Sequence, residues 1–337
     1  MRSLLLPILK LTFAGLLIYW LWSSGKLNLN QLSIVYKEPQ FLFLAITTWV
    51  VTHMFLGVLR WRLLLRGVGY DISYLWALKL QLTGLFFNTA LPGAVGGDLV
   101  KAGYLVMGHP GKGKSPAMIS ILMDRLVGLF GLFIITGMII LFDYSSVISI
   151  EALRPLVYMV FGVILAITFG LWVVFKQYPQ KDPILHLLEK PYPGSKQITK
   201  IYTCFKRYKD HKRYVFMALG FSVLIQGAML FYFYSIANHL LPAALFTSIA
   251  LVFPIGMLVT ALPLAPGGLG VGHVAFDTLF QLVGYQQGAT VFNIFVVSML
   301  CMHLLGVIPY LTLKKKPRPK DNSKKELGVA PMARQDA

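Results

Sequence analysis

Residues 89–97 read TALPGAVGG and residues 260–268 read TALPLAPGG. Seven of the nine positions are identical, at an offset of 171 residues in a chain of 337. Each phrase closes an apolar stretch, about 75–91 and 243–262, with a Pro and a Gly pair that interrupt helical hydrogen bonding. Broken backbone at membrane depth is tolerated only where protein buries it or where it lines a wet cavity. The two breaks are therefore expected to face each other in the protein interior. Chance similarity of apolar sequence, or glycines that serve only close helix packing, are the competing explanations.

The surrounding composition sets this in a membrane. The chain is 56% hydrophobic and 13% charged, against the roughly 25% charged residues of an ordinary soluble domain. Apolar runs near the ~20 residues that cross a hydrocarbon core as helix occupy 4–22, 41–59, 117–142, 155–175, 214–237 and 290–312. The first lacks a convincing small-residue cleavage site and is read as an anchor, with the mature chain starting at Met1. Cys204 and Cys301 suggest neither a disulfide framework nor a thiolate metal site.

The net charge of +18 could point to nucleic acid, but the basic residues collect in alternate connections. With a cytoplasmic N-terminus, 27 of the 31 Lys and Arg fall inside, only Lys26, Lys37 and Arg154 outside, and Arg125 within a span. This partition requires the segment 72–108 to enter and leave on the cytoplasmic side. By the same parity 243–286 enters and leaves on the outer side. The expected fold is an all-α polytopic membrane protein, an inverted-topology repeat with about six full spans and two re-entrant hairpins, a plan common in transporters. The membrane domain covers 1–315, its halves 41–142 and 214–312, with a basic cytoplasmic arm at 176–213; residues 316–337 form a basic, disordered cytoplasmic tail.

Few residues could carry chemistry. Thr89, Pro92, Gly96 and Gly97 form the first break and Thr260, Pro263, Gly267, Gly268 and Gly270 the second. Asp98 and Lys101 follow the first Gly pair, where a half-helix start would offer free N–H groups to an anion such as a lipid phosphate. Asp98 as a plain cap and Lys101 as an edge marker is the alternative. Asp124 and Arg125 lie roughly 10 Å into a span, where ionisable groups are costly and face the bundle interior. Pointing about 100° apart, they are expected to reach other elements: Arg125 a phosphate, or Asp98 as a structural ion pair. His273 and Asp277, one turn apart, could relay protons or form a hydrogen-bonded pair. As a metal site they are too few. His53, Gln226 and His303 are read as interhelical bonds.

Enzyme signatures are lacking. Gly111-Lys112-Gly113-Lys114-Ser115 ends like a phosphate loop, but its spacing fails and no strand precedes it. Neither HExxH nor GxSxG occurs, and 176–213 is too short and basic for a catalytic domain.

At Arg60-Trp61-Arg62, Pro92 with Gly96-Gly97-Asp98, Asp124-Arg125-Leu126 and Pro263 to Gly270, the chain resembles the transmembrane, flippase-type region of lysylphosphatidylglycerol synthases and their stand-alone relatives. The likeness covers about residues 5–315. It implies a protein that moves, or helps to move, a phospholipid or lipid-linked head group between leaflets. The aminoacyl-transferase domain of the full-length synthases is absent, so lysyl transfer is not expected. Relatives commonly carry Glu where this chain has His273.

The expectation is therefore a non-enzymatic protein of the cytoplasmic membrane, both termini cytoplasmic, that binds an anionic phospholipid or lipid-linked head group between its hairpins. No cofactor, metal or nucleic acid is expected. A homo-oligomer or a lipid-biosynthesis enzyme is left open as protein partner. The rivals are a membrane-embedded transferase using Asp98 or Asp124, and a non-transporting accessory subunit.

Overall fold

The computed structural model describes residues 37–90, 96–109, 111–149, 151–176, 182–188, 195–260 and 271–313. Among the described residues all regular structure is helical. Five helical stretches are long and apolar enough to cross a membrane: Pro39–Gly67, Lys114–Phe142, Arg154–Phe175, Ile201–Leu240 and Gly288–Thr312. They match five of the six expected spans. The sixth, 4–22, and the tail 316–337 lie outside the described residues.

In chain order we label the main helices α1 (Pro39–Gly67), α2 (Tyr74–Ala90), α3 (Gly96–Gly108), α4 (Lys114–Phe142), α5 (Arg154–Phe175), α6 (Lys212–Leu240), α7 (Phe246–Thr260), α8 (Val271–Leu282), α9 (Gly288–Leu304) and α10 (Val307–Thr312). Helix α1 starts on Pro39, whose missing N–H costs nothing in a first turn. Its middle, Val50–Leu56, is wound as π-helix. Such stretches are rare and often mark functional sites.

The two largest apolar clusters among the described residues hold most of the bundle. One joins α6, α7, α8 and α9 through Phe233, Phe253, Phe276, Phe292 and Phe295, with Trp49 of α1 added. The Phe276 and Phe292 rings stack with centroids 4.7 Å apart. The other gathers Trp61, Leu64, Leu65, Tyr70, Met123, Val127 and Tyr208. Between α4 and α6, Gly131 permits close approach, because an added Cβ would stand 2.7 Å from Ser222 Cβ.

Several helix pairings have a counterpart in the other half of the chain. Helix α2 packs on α3 and α9, and α7 packs on α8 and α4; α4 touches α1 as α9 touches α6; α1 and α6 touch each other. The helix ends are also tied. Tyr70, before α2, donates to the Gly113 carbonyl, after α3, at 2.8 Å. Tyr208, ahead of α6, donates to the Leu64 carbonyl at 2.9 Å. Across the 29 residues of α6, the Leu245 N–H before α7 donates to Tyr285 Oη after α8 at 2.8 Å.

Candidate functional site

A cavity of about 410 Å³ lies among α1, α2, α3, α4, α6 and α7. Its apolar edge includes Leu132, Met229 and Met257, which belong to or pack against the first cluster. Its polar lining is unusual for the inside of so apolar a bundle: Arg60, Gln81, Asn88, Asp98, Lys101, Asp124, Arg125 and Gln226, with Thr52 and His53 from the π-helical stretch.

Two acid–arginine pairs organise it, and both leave Asp124-Arg125 in different directions, as adjacent positions on a helix must. Arg60 grips Asp124 by two bonds, Nε to Oδ1 at 2.8 Å and Nη2 to Oδ2 at 3.1 Å, tying α1 to α4. Its Nη1 donates to Ser222 Oγ of α6 at 3.0 Å. Both side chains of this pair are 12% exposed. Arg125 instead reaches α3, its Nε 2.5 Å from Asp98 Oδ2. There Arg125 is 40% exposed and Asp98 14%.

Lys101, one turn after Asp98 on α3, is 3% exposed. Its Nζ donates to Gln81 Oε1 at 2.7 Å and sits 3.7 Å from the Trp61 ring centroid, a cation over an aromatic face. No carboxylate lies within ion-pair distance of Lys101 among the described residues. The lining thus sets three fixed cations, Arg60, Lys101 and Arg125, against two carboxylates.

The start of α3 explains part of the first break. Gly97 N–H donates to Asn88 Oδ1 at 2.8 Å, so a helix-start donor is met by α2. A Cβ on Gly97 would fall 1.8 Å from the Gly84 carbonyl oxygen. Gly97 is a contact point between α2 and α3, and Asp98 in the first turn is favoured by the helix dipole.

Of the residues singled out in the sequence, the cavity gathers Asp98, Lys101, Asp124 and Arg125. Gly96 opens α3. Thr89 donates to Leu85 of its own helix at 3.1 Å and meets His303 Nδ1 at 3.4 Å, against α9. Thr260 donates to Met257 at 2.7 Å. His273 Nε2 is 3.0 Å from Asn293 Oδ1 of α9, and Asp277 accepts from Gln281 at 3.0 Å, so the two have different partners. None of these four lines the cavity. Pro92, Pro263, Gly267, Gly268 and Gly270 lie outside the described residues. Gln226 makes an interhelical bond to the Gly128 carbonyl at 3.1 Å.

Sequence reasoning passed over Gln81, Asn88 and Ser222, and took Arg60 as part of a family motif and a topology signal but not as a site residue. Arg60 had a legible signal: it stands three residues after Gly57 and seven after His53, one stripe of a helical surface.

The family model described as Lysylphosphatidylglycerol synthase TM region matches residues 8–312. The chain is 23% identical over 310 residues to the UPF0104 membrane protein of Pyrococcus horikoshii, covering 86% of this chain and 90% of that one. No solved structure matches the chain.

Proposed function

Because the chain belongs to the lysylphosphatidylglycerol synthase transmembrane-region family, we propose that this multi-pass membrane protein is a lipid transporter of the flippase type. The observation that carries the reading is the cavity's excess of fixed cations inside an apolar bundle. An anionic phospholipid or lipid-linked head group enters it, its phosphate exchanging with Asp98 for Arg125 and approaching Lys101, while the acyl chains stay in lipid. Arginine suits this task because its planar fork holds phosphate oxygens bidentately.

The reading includes an inverted repeat with α2–α3 and α7–α8 as opposed re-entrant hairpins. Two observations support it. Several helix contacts have counterparts when the halves are exchanged, α2–α3 with α7–α8 and α1–α4 with α6–α9 among them. The bonds Tyr70 to Gly113 and Leu245 to Tyr285 bring together the chain before and after each hairpin, at the two ends of α6. With the basic segments cytoplasmic, the protein sits in the cytoplasmic membrane with both termini inside. No catalytic step and no cofactor enters this reading; a homo-oligomer or a lipid-biosynthesis enzyme remains a proposed protein partner.

The test is reconstitution of purified protein into vesicles with head-group-labelled phosphatidylglycerol or phosphatidylcholine, measuring leaflet exchange. Faster exchange of the anionic lipid is expected. Folded protein that accelerates neither lipid refutes the reading.

A further inference from the structure

A second cavity, about 770 Å³, lies between α4, α5 and α6. It shares no lining residue with the polar cavity. Its wall is apolar along the spans, with Phe130 and Ile134 of α4, Leu171 of α5, and Val215 and Leu219 of α6. At one end that changes: Lys176, the residue after α5, and Lys212, the first of α6, both line it. Two basic residues therefore close an apolar groove at the level where two spans leave the apolar layer.

We propose that this groove is a binding site for an anionic phospholipid held as a resident lipid, one acyl chain along the apolar wall and the phosphate between Lys176 and Lys212. Four features of the site fit that occupant. Helix α5 fully buries only Val157, Val160 and Phe175, so most of its surface is left for hydrocarbon. Trp172 and Phe216 line the groove yet are 54% and 62% exposed, so its rim faces outward. Trp172 lies one turn from the charged end, at the depth where tryptophans anchor in the interface, and Lys176 Nζ stands 4.7 Å from its ring centroid. Lys176 and Lys212 bring two basic side chains to the same end of the groove, whose lining holds no acidic residue. A soluble anion would use the lysines and leave the apolar wall without a partner. A zwitterionic lipid would use the wall but neutralise less of the charge. The site stands independently of the transport reading.

The test uses the full chain in phosphatidylcholine vesicles doped with phosphatidylglycerol whose acyl chain carries a diazirine, with labelled residues mapped by mass spectrometry. Labelling at Leu171 and Leu219 is expected, several-fold above that from the equivalent diazirine phosphatidylcholine. Lys176→Gln and Lys212→Gln should each lower it about fivefold, the factor a basic side chain near an anionic surface carries, while the Lys→Arg variants keep it. Thermal unfolding of the same samples establishes that they are folded. Equal labelling by the two lipids, or labelling unchanged in folded Lys176→Gln/Lys212→Gln protein, overturns the proposal. So do cross-links from a photoreactive residue at position 219 to residues 4–22 in place of lipid, which would give the groove to the chain's own first apolar segment.

Discussion

Replacing Asp124 by Leu removes the carboxylate that Arg60 holds with two hydrogen bonds, in a place where each side chain is only 12% exposed. The guanidinium keeps Ser222 as a partner but loses its counter-charge. Breaking a buried pair from one side costs about 3–5 kcal/mol, because an uncompensated charge is left behind. Arg60→Leu leaves the mirror-image problem and should cost a similar amount. The double variant Arg60→Leu/Asp124→Leu removes both charges and should lose far less than the sum, with a coupling of about 2 kcal/mol or more. Reversible unfolding in mixed micelles, followed by tryptophan fluorescence, measures all four corners of the cycle. A single variant as stable as the parent, or a double variant whose loss is the plain sum, would refute the claim that this pair locks α1 to α4.

Arg125 faces a wetter setting, so its pair with Asp98 is worth about 1 kcal/mol or less. Arg125→Leu should stay folded while leaflet exchange is lost, and Arg125→Lys should restore only part, since ammonium lacks the fork; a folded Arg125→Leu protein with full exchange would show that the charge is not needed. Gly97→Ala should destabilise by about 1–3 kcal/mol, because its Cβ would lie 1.8 Å from the Gly84 carbonyl, and equal thermal stability would contradict this. Ser195→Cys, in a background without Cys204 and Cys301, should resist membrane-impermeant labels applied outside intact cells; strong labelling would reverse the orientation.

The spans were legible because a membrane helix must be a continuous apolar run, and five such runs reappear as helices. The separate directions of Asp124 and Arg125 were legible too, from helical geometry alone. Asp98, read from the sequence as the ion-pair alternative for Arg125, is its partner in the structure, whereas the partner of Asp124 was not legible. Arg60 lies 64 residues from Asp124, and its position beside Trp61 and Arg62 near a span's end read as a topology signal. His273 and Asp277 show a different effect, since spacing of one turn makes two side chains neighbours while other residues supply hydrogen bonds to each. Gln281 and Asn293 compete for them at 3.0 Å each. The π-helical winding of Val50–Leu56 carries no Pro or Gly within it to announce it.

That winding gives α1 two angular phases. Ala45, Thr48 and Trp49 are buried ahead of it, and Trp61, Leu64 and Leu65 after it. Were these seven residues of Val50–Leu56 wound as ordinary α-helix at unchanged length, the following eleven residues of Gly57–Gly67 would be turned by about 100°. Arg60 would swing away from Asp124 and Trp61 from Lys101 in the same movement, with every side chain of the site still present. The cavity is therefore aligned by backbone winding as well as by residue identity: a stretch that carries no Asp, Glu, Lys or Arg sets the angle at which Arg60 and Trp61 stand.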